Sequence, residues 1–542
     1  MKKINKILFA LLPGIVFSIS SCAILDKLIP LPNPDNGGSG GNNGDNKDPN
    51  PDIKEDKTYE NLEKVDTKFT YDDLGTAQGV PVTPSTGDVN VLVIPVEFSD
   101  RTAFTNSDLS ALNASFNGTK EDKTNSYWES VSSFYNKSSY GKLNFNFEIC
   151  DTYVPSMTST KFLSMTDDYG TESCTLLYEM YNKRITKNGA KINYLDSKYD
   201  NNNDGFIDGV WLIYNEKNPR KVNSSTFWAY TTNYSEPESS PKYGKINNST
   251  NFSKYANCAL SFIYEDSRNG EDAHTLIHET GHMLGLDDYY SYSSKMTKNY
   301  GYCGGLDMMD LNIGDHDAFS KWSLNWISPS IVKENTENIK LRPFQSSGDA
   351  LILPANYFNN SAFSEYIILA YYTPNGLNYL DSANAYQSGS YPRLFTKSGL
   401  VAYHVDSRLI NLTISQSLLT GNKKTTIGDY LDKSATKIPG ESYKETATSA
   451  SYSYYSVATS NTPEYSYNKS ALISLLSPQN RSFYNSRAAT NADLYTESTK
   501  ALSAKTASNF FSYGKFNDGS TMSYTATVNE ITDDYLTVSI TK

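Results

Sequence analysis

Apolar residues follow two different rhythms along this chain. Val89 to Phe98 reads VNVLVIPVEF, a nearly unbroken apolar run that predicts a buried strand. Tyr127, Val131, Phe134 and Tyr135 fall at i, i+4, i+7 and i+8, one face of a helix, and the spacing stops before Gly141. Leu143, Phe145, Phe147 and Ile149 then alternate with polar residues, as a half-buried strand does. Val210 to Tyr214 is another apolar strand. Beyond about Pro329 the helical rhythm fades. Leu351 to Leu353, Tyr366 to Tyr372, Leu400 to Val405 and Tyr535 to Ile540 are short strand-like runs separated by turn residues.

These patterns predict an α+β chain in two globular parts. Residues 66–329 mix strands and helices, and residues 330–542 are β-rich and sandwich-like. Residues 444–470 are low in large aliphatics and rich in Ser, Thr and Tyr, and read as a long surface excursion. A length of 542 residues is enough for two or more domains with a large core.

The first 22 residues read as a targeting segment. Lys2, Lys3 and Lys6 give a positive start, Ile7 to Ile19 is mostly apolar, and Ile19-Ser20-Ser21-Cys22 follows. That ending resembles a bacterial lipobox, in which Cys22 carries lipid and becomes the mature N-terminus. An ordinary signal peptide with a chance Cys is the alternative. The apolar run is short for a membrane span. Residues 23–65 are expected to be a disordered linker, because Pro30 to Lys57 holds Pro, Gly, Asn and Asp with almost no large apolar residue. As a flexible coil it sets the globular part roughly 30 Å from its anchor. The expected location is the outer face of a bacterial membrane, through lipid on Cys22, with secretion as the alternative.

Forty-eight Lys and Arg against 60 Asp and Glu give a net charge of -12, which argues against a nucleic-acid partner. Removing Cys22 leaves Cys150, Cys174, Cys258 and Cys303, which allow three pairings or four free buried thiols.

The chemistry concentrates in Asp272 to Tyr290, DAHTLIHETGHMLGLDDYY. His278-Glu279-x-x-His282 is an HExxH pattern. Residues four apart share a helix face, so both imidazoles reach one ion. Glu279 beside them is placed to take a proton from water activated by that ion. At about 100° per residue, Ala273, Leu276, Ile277, Thr280 and Leu284 group on one side and His274, His278 and His282 on the other. Asp272 reads as the N-cap, and His274 as a surface or supporting residue rather than a ligand. Gly285 can end the helix in the left-handed conformation and turn the chain back. Asp288, ten residues after His278, then returns as a third ligand. The set His278, His282 and Asp288 with one open position suits a catalytic zinc ion.

On these residues the chain resembles the immune-inhibitor-A-like zinc metalloproteases, metzincin-type enzymes of peptidase family M-six. VNVLVIPVEFSD (89–100) is similar to that family's opening strand, and SFYNKSSYGKLNF (133–145) to its helix and Ser-Tyr-Gly-Lys turn. HETGHMLGLDD (278–288) matches its zinc motif, and GGLDMMD (304–310) resembles its Met-turn, which implies Met309 packed beneath the metal. FSKWSLNWISP (319–329) and GLVAYHVD (399–406) resemble later motifs. The resemblance implies a metzincin-like catalytic domain over 66–329, with zinc as cofactor. Two departures stand out. Asp287 occupies a position where the family often has Pro, and no Tyr follows Met309 before Tyr357 to stabilise an oxyanion. His316 is a candidate for that last role or a structural residue.

Tyr199 to Gly209 reads YDNNNDGFIDG. Asp200, Asn202, Asp204 and Asp208 alternate around Gly205, and with the Phe206 carbonyl they could offer hard oxygens to calcium. Position 12 is Trp211, so this is no full EF-hand, and an Asn/Asp-rich turn is the alternative. The family resemblance leans toward calcium.

The expected activity is a monomeric zinc endopeptidase acting on protein or peptide substrates, with Glu279 as general base. The alternatives are a zinc hydrolase of another bond, and a non-catalytic surface-binding lipoprotein on a protease scaffold.

Overall fold

The computed structural model describes residues 59–67, 69–78, 81–118, 129–165, 171–183, 185–192, 197–217, 225–234, 251–264, 271–291, 301–389, 391–413, 443–444, 452–456, 471–484 and 486–542. The expected targeting segment with Cys22, most of the linker and most of the 444–470 excursion lie outside the described residues.

The fold is a mixture of helices and several mixed sheets, as expected of an α+β chain. Strands β1 (Gly87–Val96), β2 (Leu143–Ile149), β3 (Val210–Tyr214), β4 (Tyr230–Asn233) and β5 (Lys254–Ala259) form one sheet in the order β2-β1-β3-β5-β4. Four of them are parallel, and β4 runs antiparallel at the edge. Every residue of the central strand β3 is buried, which is why its apolar run is continuous. The outer strand β2 alternates buried and exposed residues over its first five positions. Helices α1 (Asn106–Asn117) and α2 (Val131–Ser138) begin on Thr105 and Ser130, whose side chains accept first-turn N–H groups. In α2 Val131, Phe134 and Tyr135 of the expected face are fully buried, and its first member, Tyr127, lies outside the described residues. The chain leaves α2 through Tyr140 and Gly141, both at positive φ.

The second half is built from β6 (Ser330–Ile331), β7 (Thr336–Leu341), β8 (Ala350–Pro354), β9 (Glu365–Tyr372), β10 (Gly399–Asp406), β11 (Ile473–Leu475), β12 (Leu502–Ser503), β13 (Thr525–Ile531) and β14 (Leu536–Thr541). They make a five-stranded sheet β6-β8-β9-β10-β11 and a four-stranded sheet β7-β14-β13-β12. Alternate residues of the five-stranded sheet enter different cores. Leu351, Leu353, Ile367, Leu369, Leu400 and Ala402 join Val528, Val538 and Ile540 of the four-stranded sheet. Ala350, Ile352, Tyr366, Ile368, Val401 and Tyr403 join the larger core, which crosses residue 330 and includes β1, β3 and Trp322. A sheet with both faces covered needs apolar residues at successive positions, and β9 reads EYIILAYY for that reason.

The GLVAYHVD stretch becomes β10, buried throughout. Its polar residues are paired inside: His404 Nε2 lies 2.9 Å from Glu365 Oε1, and Arg408 donates to both oxygens of Asp406 at 2.7 and 2.9 Å.

The expectation of a disordered linker through residue 65 needs correction. Residues 59–65 are described, and Tyr59 is buried in the core of the second half. Tyr59 Oη accepts the Ala350 N–H at 3.1 Å, and Val65 donates its N–H to the Pro329 carbonyl at 2.8 Å. Tyr59, Leu62 and Val65 supply the apolar surface that the preceding residues lack.

Candidate metal centre

The HExxH residues lie on α3 (His274–Met283). Its start differs from expectation. Ala273 holds the cap position without a side-chain bond, and Asp272, one residue earlier, accepts the His274 N–H at 3.0 Å. The helix is buried on both sides rather than on its apolar side alone; His274 and His278 are 0 % and 4 % exposed. His274 is therefore interior, not a surface residue.

The helix ends as the sequence predicts. Gly285 has φ +99°, its N–H bonds the His282 carbonyl at 3.0 Å, and the Leu286 N–H bonds the Gly281 carbonyl at 3.1 Å. This paired closure is a Schellman turn. It also aims a ring, because the Leu286 carbonyl accepts from His282 Nδ1 at 2.7 Å. The Met308 carbonyl accepts from His278 Nδ1 at 2.8 Å. Carbonyl oxygens only accept, so both Nδ1 atoms carry the proton and both Nε2 atoms present lone pairs.

Those lone pairs meet. His278 Nε2 and His282 Nε2 are 3.1 Å apart, and Asp288 Oδ1 lies 2.8 Å from the first and 3.1 Å from the second. Ligands about 2.0–2.1 Å from a tetrahedral zinc ion are roughly 3.3 Å from one another, so the triangle has nearly the required size. Among the described residues, these are the one set of three His, Cys, Asp or Glu side chains whose ligand atoms converge. Three electron-rich atoms in a buried pocket repel unless a cation lies between them. The electrostatics of the three groups agree. Burial pushes the Asp288 carboxyl up, but the imidazoles of His282 and His278 outweigh it and hold the group well below the usual carboxylate range. Burial lowers His282, yet Asp288 raises it to about 9. The point that attracts a proton so strongly attracts a metal ion as well, and the two compete. The donor set fits zinc.

Glu279 sits on the same helix and is 7 % exposed. Thr231, on edge strand β4, places its hydroxyl 2.8 Å from the Glu279 carbonyl and 3.0 Å from Oε2. Burial pushes the Glu279 carboxyl above its ordinary value, while His282 and His278 pull the other way. No sequence motif pointed to Thr231, since YTTN carries neither an apolar run nor alternation.

Met309 is the second residue of a short helix, Met308–Leu311, where the Asp307 carboxylate accepts its N–H at 2.7 Å. It is fully buried against Gly281, which lies between His278 and His282 in the chain; a Cβ on Gly281 would stand 2.6 Å from Met309 Sδ. Its carbonyl accepts the Tyr289 N–H at 2.7 Å, which ties the loop that carries Asp288 to this turn.

His316 does not fit an oxyanion role. It is 2 % exposed, its ring packs against Phe134, Tyr135 and Trp326, and neither ring nitrogen has a hydrogen-bond partner among the described residues. Burial, then Lys321 and His278, hold its pKa well below the ordinary value, so the ring stays neutral. A ring enclosed this way has no face left for substrate. The four cysteines Cys150, Cys174, Cys258 and Cys303 are free and buried.

In the Asp200–Asp208 loop the acidic oxygens turn to backbone N–H groups. Asp200 accepts from Asp204 and Gly205 at 3.0 and 3.1 Å, Asp204 from Phe206 at 2.8 Å, and Asp208 from Asn201 at 2.8 Å. Gly205 has φ +89° at the sharp turn. Asn202 donates to Asp204 at 3.0 Å. The carboxylates of Asp200, Asp204 and Asp208 share the loop without gathering around one point. Burial, then the charges of Asp204 and Asp200, raise Asp208 to about 7.

Comparison of the chain with protein-family models finds no match, and neither does comparison with curated proteins.

Proposed function

We propose that this chain is a zinc-dependent endopeptidase, metzincin-like in its first half and sandwich-like in its second. The observation that carries the reading is the convergence of His278 Nε2, His282 Nε2 and Asp288 Oδ1, with both Nδ1 protons committed to backbone carbonyls. Such outer bonds set the tautomer and aim of metal-binding histidines. When bound, the cation supplies a more acidic water molecule and a polarised substrate carbonyl. Glu279 accepts the proton of the attacking water and passes it to the departing amine. Its buried position raises its basicity toward the working pH, and the Thr231 hydroxyl holds Oε2 in place. Among the described residues, the outer edge of β4 pairs with no other strand. An extended peptide can add to that edge beside Glu279, which selects unfolded or looped protein segments as substrate. Lipid on Cys22 would hold the enzyme at the outer face of the cell membrane, as a monomer facing extracellular protein.

The test joins metal analysis of the purified chain to casein digestion with and without a chelator. One equivalent of zinc and chelator-sensitive turnover support the proposal. Glu279→Ala should abolish digestion and keep the metal. A variant that digests at the wild-type rate removes Glu279 from the role, and a metal-loaded wild type with no turnover on any peptide favours a binding protein.

A further inference from the structure

We infer that Asp381 and Tyr386, from the second half of the chain, are positioning residues for the metal centre and act through His274. The inference rests on the metal reading above. His274 opens α3 one turn before His278, on the same face. Its Nδ1 lies 2.6 Å from Asp272 Oδ1, and its Nε2 lies 3.4 Å from Asp381 Oδ2, 107 residues along the chain. Its ring stacks on Tyr386 with 4.0 Å between centroids. Tyr386 in turn donates its hydroxyl to Asp272 Oδ2 at 2.6 Å. Asp381 Oδ2 also accepts the Gly314 N–H at 2.9 Å. His274, Asp272, Asp381 and Tyr386 are all 1 % exposed or less.

This arrangement is a buried cation held between two anions. Burial opposes charge on His274, but Asp272 and then Asp381 outweigh it and raise the imidazole to about 10. The three charged groups matter mechanically because Ala273 gives the helix no side-chain cap. The first turn of α3 is fixed instead by His274, clamped from beyond residue 330. His278 follows one turn later, and a tilt at the helix start carries its Nε2 away from Asp288 Oδ1, now 2.8 Å distant. Ligand triangles tolerate only a few tenths of an ångström, so the clamp should register as metal affinity.

The test uses the full chain in detergent. Zinc affinity is read by competition with a chromophoric chelator, and ligand geometry by the visible absorption of the cobalt(II)-substituted protein. Asp381→Asn should weaken zinc binding roughly tenfold and shift the cobalt bands. Tyr386→Phe, a milder change that decides the matter if Asp381→Asn does not fold, should act in the same direction by a few-fold. Asp349→Asn, which breaks the pair between buried Asp349 and the exposed Arg342 guanidinium in the second half, serves as control and should lower the melting temperature with zinc affinity unchanged. Unaltered zinc affinity and cobalt spectrum in the folded Asp381 or Tyr386 variant overturn the inference. So does an equal loss in the Asp349 control. A wild-type chain that takes up neither zinc nor cobalt overturns the metal reading itself, and the inference with it, before any variant is compared.

Discussion

Replacing Gly281 by Ala puts a methyl group between helix α3 and Met309. The new Cβ would stand 2.6 Å from Met309 Sδ, 3.2 Å from its Cε and 3.3 Å from Tyr135 Oη. Met309 is fully buried, so it cannot swing into solvent to make room. Forcing an extra methyl into a packed core costs about 1–3 kcal/mol. Ala in a helix interior recovers about 1 kcal/mol over Gly. The single substitution should therefore destabilise by roughly 0–2 kcal/mol. Met309→Ala alone should cost about 2–5 kcal/mol through the cavity it leaves. That cavity also admits the new methyl, so in the Met309→Ala background Gly281→Ala should stabilise by up to about 1 kcal/mol. Urea unfolding of the four proteins gives the coupling directly, expected at about 1–3 kcal/mol. An equal cost for Gly281→Ala in both backgrounds would show that the methyl meets something other than Met309, and the packing account of the turn would be lost.

Thr231→Val removes the hydroxyl that bonds Glu279 Oε2; peptide turnover should fall about five- to twentyfold, with zinc content intact by metal analysis. Burial raises Asp72 to about 6 despite bonds from Ser85, and a carboxyl raised above its unfolded value favours folding while protonated. Stability should therefore decline as pH climbs from about 4 to 6, and Asp72→Asn should flatten that part of the denaturation profile. Millimolar calcium should raise the melting temperature if the loop from Asp200 to Asp208 binds it, and Asp208→Ala should erase the rise; no change in the wild type removes calcium from the account.

Much of the local chemistry was readable from spacing. His278, Glu279 and His282 share a helix turn, Gly285 supplies the reversal, and Asp288 lies within reach of it, so short-range geometry alone brings His278, His282 and Asp288 together. Strands β1, β2 and β3 announced themselves through apolar runs or alternation. What stayed hidden depends on distant partners. Edge strand β4 is half-buried at all four positions, which leaves no rhythm to detect, and with it went the Thr231 bond to Glu279. The three-histidine face of α3 was visible, but the pattern could not show that Asp381 and Tyr386 would cover its first member. Tyr59 sat behind a polar linker, and the core of the second half, far along the chain, is what buries it.

The five-stranded sheet works as a party wall, and neighbouring positions on it answer to different rooms. Trimming Ile367 would loosen the packing toward β14, whereas trimming Ile368, one residue on, would be felt in the core that holds Trp322 and the apolar residues of α3. Substitutions along β9 should thus sort by odd and even number, one set altering durability alone and the other reaching the chemistry.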